Sequence, residues 1–272
     1  VRPGLAAAAV SILLAGCDDL TLGTSIGGTP LTPEPATGGV AGMAWVIQRV
    51  GPEGNTHTAV SLRLADAADA ARILEVASPV VTAGETEYAL LTRSPNVFYT
   101  NDERSGIAYE AGQRYTFAVD VAVSGKGTVR FEAAVVAPAA PPTVDAPAAQ
   151  LVVAGETPLD LSVARRDDAG LVIVSTLSGW YTSAGVTHDS WAAVVGDKTG
   201  LAAMRAMRDA ALDASTPTLS IPASAFAVPG GYWAEVYSVA VARDGDSGVS
   251  DDWAAGSWFA AGAPATLAVD AN

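Results

Sequence analysis

The chain has 272 residues, with 15 Lys and Arg against 29 Asp and Glu, a formal charge of −14 and one cysteine. So acidic a surface, with no cluster of Lys or Arg, repels phosphate backbones and excludes nucleic acid as a partner. A single cysteine excludes an internal disulfide and thiolate metal sites, and His57 and His188 are the only histidines available for zinc or general-base chemistry.

In chain order, Arg2 precedes an apolar run over residues 5–15, interrupted only by Ser11. Its 11 residues fit a secretory h-region and fall short of the roughly 20 that span a bilayer as a helix. Small residues then lead to the cysteine, in Leu14-Ala15-Gly16-Cys17. This tetrapeptide resembles the lipobox of bacterial lipoproteins. The resemblance implies a signal peptide over residues 1–16, acylation (palmitate or a similar chain) of the Cys17 thiol, and cleavage just before it. It also implies an extracytoplasmic protein of the bacterial cell envelope, held to a membrane by its lipid. One fatty chain holds marginally and two hold stably, at about 0.8 kcal/mol per buried CH₂. Loss of residues 1–16 removes Arg2 and no acid, so the charge becomes 14 − 29 = −15. Asp18 and Asp19 follow the cysteine; they resemble a retention signal known in one bacterial lineage and do not choose a membrane here.

Residues 17–40 read as the lipidated cysteine and a flexible tether rich in Thr, Gly and Pro. Its reach is roughly 25 Å if it behaves as a random coil.

The first folded unit is expected over residues 41–137. Residues 43–50 form an apolar β-former run around Trp45, and Val60, Leu62 and Leu64 alternate with Ser61 and Arg63, the period of a half-buried strand. Residues 65–76 fit either a short helix or a strand, and residues 88–92 and 97–100 read as strands. The clearest pattern is a hairpin. Tyr115, Phe117, Val119, Val121 and Val123 share one face, Ser124-Gly125-Lys126-Gly127 turns, and Val129, Phe131, Ala133 and Val135 share the face of the returning strand.

Upstream, Tyr109 stands six residues before Tyr115, and Gly112 three before it. This spacing resembles the tyrosine corner of immunoglobulin-like and fibronectin type III β-sandwiches, although Ala111 stands where the latter usually have proline. The resemblance implies that Gly112 turns the chain between sheets while the Tyr115 hydroxyl bonds back to upstream backbone.

Residues 138–147, with Pro138, Pro141, Pro142 and Pro147, read as a stiff linker. The second unit is expected over residues 148–272. Strands are read near 151–153, 159–163 and 171–177, then from Trp233 to Val241 and again after Trp258, with Leu267 to Val269 closing a sheet. Residues 201–212 carry a helical pattern, with Leu201, Met204, Arg208 and Ala211 near one face. Phe226, Gly230 and Tyr232 repeat the corner theme in looser form. The expected architecture is all-β, with two immunoglobulin or fibronectin III-like sandwiches in tandem, the second holding a short inserted helix.

Candidate chemistry is sparse. Gly245-Asp246-Ser247-Gly248 resembles the nucleophile motif of trypsin-like proteases, but Val249 breaks it, and nothing specifies a base for Ser247. Asp244, Asp246, Asp251 and Asp252 are candidate calcium ligands, although Gly248 stands where an EF-hand needs a ligand and no glutamate closes the loop. Gly196-Asp197-Lys198-Thr199 fails as a phosphate loop because Asp197 replaces glycine. His188-Asp189-Ser190 are sequence neighbours and do not converge on one substrate. Five of the six tryptophans fall after residue 147. Trp180, Trp253 and Trp258 are the candidates for a surface that stacks on sugars or holds a protein partner. The sequence thus leads to the expectation of a non-enzymatic lipoprotein without cofactor, which binds or scaffolds a protein or, alternatively, a glycan.

Overall fold

The computed structural model describes residues 25–26, 29–30, 32–50, 54–100, 106–145, 151–152, 154–164, 175–181, 191–192, 218–221, 223–226 and 229–272. Cys17, His188, the 196–199 loop and the helix expected over 201–212 lie outside the described residues.

The strands, in order, are β1 (Ser25–Ile26), β2 (Thr29–Pro30), β3 (Val40–Val50), β4 (Thr56–Asp66), β5 (Val76–Ala83), β6 (Thr86–Ala89), β7 (Leu91–Ser94), β8 (Val97–Tyr99), β9 (Arg114–Val123), β10 (Gly127–Val136), β11 (Thr143–Asp145), β12 (Leu151–Val152), β13 (Leu159–Ala164), β14 (Ser175–Tyr181), β15 (Trp191–Ala192), β16 (Thr218–Ile221), β17 (Gly230–Arg243) and β18 (Trp258–Ala271). Among the described residues the only helical element is a 3₁₀ turn, Ala223–Phe226. The described fold is all-β.

One sheet organises the others. It has nine strands, in the order β15-β14-β17-β18-β3-β4-β8-β7, with β12 also paired to β18. A four-stranded sheet, β10-β9-β5-β6, and a three-stranded sheet, β11-β13-β16, are separate from it. The β9–β10 hairpin expected from its alternation is present, paired from Gly127↔Val123 to Val136↔Arg114. Residues 65–76, ambiguous in sequence, supply the end of β4, a turn and the first residue of β5.

Alternation along β17 and β18 shows how the sheets stack. Tyr232, Ala234 and Val236 enter a cluster with Leu159, Leu161, Ile221 and Phe226. Ala240 and Ala242, at the same parity on the same strand, pack on a cluster with Val46, Leu62, Phe117 and Phe131. On β18, Phe259 and Ala261 join the latter cluster, and Leu267 and Val269 the former. Side chains two apart share a face of a strand. Both smaller sheets therefore lie on the same face of the large sheet, side by side, and two 14-residue strands run beneath both. The C-terminal hairpin, placed by sequence in the second unit alone, contributes to both cores.

The link between β18 and the N-terminal part is parallel, from Trp258↔Met43 to Gly262↔Ile47. It stops just before Pro264. Pairing with β17 runs unbroken past this residue, Tyr237↔Pro264 included, so the nitrogen that has no hydrogen to donate faces the β3 side, where the ladder ends.

Residues 34–40, assigned by composition to the tether, are instead built into the fold. Ala36 and Val40 are fully buried, and Glu34 and Ala36 form bridges to Leu74 and Val123. Small side chains let this stretch thread between sheet edges, and its backbone groups are satisfied there: Ala36 N–H donates to the Ala122 carbonyl at 2.9 Å. The Pro-rich stretch after residue 137 likewise contains β11, paired with β13.

Candidate functional site

The loop from 244 to 257, between β17 and β18, holds most of the sequence candidates. Its backbone crosses to the edge of the four-stranded sheet. Ala134 N–H donates to the Gly248 carbonyl at 2.9 Å, and Ser250 N–H to the Glu132 carbonyl at 2.8 Å. Val249 is buried among the core residues of that sandwich. The loop thus covers an exposed β10 edge, a place where an unpaired strand would otherwise invite association. Ser247 is exposed on it.

The four aspartates are used singly. Asp244 accepts from Gly256 N–H at 3.3 Å and Asp246 from Arg243 N–H at 3.0 Å. Asp252 pairs with Lys126 at 3.8 Å, between two solvated side chains. Asp251 is exposed. Among the described residues no three His, Cys, Asp or Glu converge to hold a metal ion, so the calcium expectation has no cage behind it. The turn geometry sends the carboxylates of Asp244, Asp246 and Asp252 to different backbone or basic partners.

Trp253 and Trp258 are core residues, 5% and 3% exposed, and neither offers a face for stacking. The Trp253 ring packs against Phe131 at 4.9 Å and Phe259 at 5.1 Å, and its Nε1–H donates to the Glu132 carbonyl at 2.9 Å. Trp253 stands in the loop and Trp258 at the start of β18; nothing in the neighbouring residues says which distant elements cover them, which is why these two looked available. Trp180 lies on β14, with its side chain outside the described residues; the glycan expectation rests on it alone.

The tyrosine corner has the hydrogen bonds its spacing implies. The Tyr115 hydroxyl donates to the Ala108 carbonyl at 2.8 Å and accepts from Glu110 N–H at 2.9 Å. Gly112 turns with φ 76°, a conformation that favours glycine. Tyr115 is fully buried, and burial raises its phenol pKa, with the Glu110 amide opposing. In the second cluster Phe226 and Tyr232 meet edge to face at 5.3 Å.

Two polar clusters were not legible as sites. Asp66 is fully buried and accepts from Thr37 N–H at 2.8 Å, Gly38 N–H at 2.9 Å, Ala68 N–H at 2.9 Å and the Thr37 hydroxyl at 3.1 Å. Arg72 Nε stands 3.1 Å from it and also pairs with Glu34. Burial alone would raise the Asp66 pKa, but the amides of Thr37, Ala68 and Gly38 outweigh it, and the pKa is lowered. The second cluster joins β3 to β17. Arg49 pairs with Glu235 at 3.0 Å, Val50 N–H donates to Glu235 Oε1 at 3.2 Å, and Trp233 Nε1–H donates to the Val50 carbonyl at 2.9 Å. The only sequence signal for it is Glu235 itself, an acid inside an apolar strand, which needs a partner when buried.

These clusters fasten elements; neither assembles a nucleophile with a base. No family model matches the chain, and no curated protein matches it either. Among the described residues no helix is long and apolar enough to cross a membrane.

Proposed function

We propose that this chain is a lipid-anchored, extracytoplasmic protein of the bacterial cell envelope, with a non-catalytic binding or scaffolding role. The observation that carries the reading is the Leu14-Ala15-Gly16-Cys17 motif closing a short apolar run. Cys17 is acylated, and the chain between it and Glu34 spaces the β-rich part from the lipid. The two cores are modules of immunoglobulin or fibronectin III-like kind that share their C-terminal hairpin. Tyr115 with its corner supports this for the first module. Strand-built bodies whose buried polar groups are spent on internal fastening offer faces and edges to a partner.

The test is metabolic labelling with an alkyne fatty acid, followed by detergent-phase partition, in a bacterial host that processes lipoproteins. The native chain is expected to be labelled and to enter the detergent phase, whereas Cys17→Ala stays unlabelled and uncleaved. A Cys17→Ala chain that is still acylated and membrane-bound would refute the anchor.

A further inference from the structure

At the β7 end of the large sheet two arginines stand on one face. Leu62 and Leu64 on β4 and Phe98 on β8 enter the core, so Arg63 and Tyr99, which alternate with them, lie on the opposite face. Val97 of β8 pairs with Arg63 on one side and with Ser94 of β7 on the other. The β7–β8 register slips between Thr92 and Ser94. Arg93, the residue at the slip, sets its guanidinium over the Tyr99 ring, 5.8 Å from the centroid. That contact fixes Arg93 on the face of Arg63. Two interstrand spacings of about 4.8 Å separate their backbones, within the span of two arginine side chains.

The ion pairs of the described residues use Arg49, Arg72, Lys126, Arg130 and Arg243; Arg63 and Arg93 belong to none of them. Two carboxylates share their face by alternation with core residues of β17 and β18. Glu235 is taken by Arg49, and Asp270 lies at the far end of β18, opposite Gly231. Arg63 Nε is buried with no acceptor among the described residues. Burial, and after it the charge of Arg93, lower the Arg63 pKa. In a chain with 29 acids to 15 bases, two cations kept together without a carboxylate repel each other, and an anion between them turns that repulsion into attraction. We propose that Arg63 and Arg93 bind a small, doubly charged oxyanion of phosphate type. Guanidinium forks match such oxygens in pairs, and two of them balance the charge of about −2 that a phosphate group carries at neutral pH. The acidity of the whole chain disfavours a long polyanion there. Arg93 is half-buried and Leu91, two residues before it on the edge strand, is 52% exposed, so the pair opens to solvent at the sheet edge. The inference stands whether or not Cys17 carries a lipid.

The test is calorimetric titration of the full chain with inorganic phosphate and, separately, with acetate, at neutral pH and constant ionic strength. Phosphate is expected to bind saturably at one site and acetate about tenfold more weakly or less. Arg93→Gln is expected to weaken phosphate binding about tenfold to a hundredfold, the scale of a lost charge-assisted hydrogen bond. Arg63→Gln should do the same independently, and Arg93→Lys, which keeps the charge without the fork, should lose less. Arg130→Gln, at a cation already paired with Asp120 and Glu132, should leave binding unchanged. No saturable binding, acetate held as tightly as phosphate, or equal losses from Arg93→Gln and Arg130→Gln would each overturn the proposal.

Discussion

Trp253 lays its indole on the backbone of Gly42, so closely that a Cβ at position 42 would fall inside the ring's van der Waals envelope. The same strand backbone is held from the loop by Ser257, whose hydroxyl accepts from Gly42 N–H at 3.0 Å. The long loop, the tryptophan and the glycine together lock β3 against the C-terminal hairpin.

Gly42→Ala is therefore expected to destabilise by about 1–3 kcal/mol through overpacking. The cost is steric, since Gly42 is not among the residues with positive φ. Urea denaturation followed by tryptophan fluorescence measures it, and Trp253→Phe in the same background should recover part of the loss.

Asp66 makes acid stability measurable. Its native pKa is lowered, against about 3.9 in an unfolded chain. Its contribution is fully present above that unfolded value and is lost as pH falls through the lowered native one. Asp66→Asn should flatten the acid limb of a stability-against-pH curve. At neutral pH, Asp66→Ala should cost about 3–5 kcal/mol, because Arg72 loses its buried partner and the Thr37, Gly38 and Ala68 amides lose their acceptor. Proteolysis near residues 34–40 should rise with it.

The alkaline limb belongs to the tyrosines. Burial raises the phenol pKa of Tyr237 well above the usual value, with the Glu235 charge adding and Arg49 opposing, and burial raises that of Tyr115 too. A raised native pKa gives stability that is complete below the unfolded value, about 10, and is lost as pH rises through the native one. Tyr237→Phe should weaken this alkaline loss. Tyr115→Phe should instead cost about 1–3 kcal/mol near neutral pH, by leaving the Ala108 carbonyl and Glu110 amide unpaired.

Arg49 and Glu235 offer a double-mutant cycle. Their side chains are 13% and 2% exposed, so removing either alone should cost about 3–5 kcal/mol. Arg49→Met with Glu235→Leu should cost less than the sum of the single changes. Additive losses in urea titrations would show that the pair is not coupled.

The local patterns of the first core have counterparts in the fold. The β9–β10 hairpin follows from alternation and a Gly-rich turn, and the Tyr115 hydrogen bonds span at most seven residues of chain. By contrast, nothing near Trp253 or Trp258 announces that each is buried, since the groups that bury Trp253 come from β10 and β18.

By itself, then, the sequence determined many of the strands, their apolar faces and the turns that join near neighbours, because period-two alternation and turn chemistry are properties of a few consecutive residues. Only the tertiary structure decided that β18 runs parallel beside β3, that two sheets share one face of a third, and that residues 34–40 belong to the body. Alternation says that a strand has a face to bury; which distant element buries it depends on closing long loops, and no local pattern records that choice.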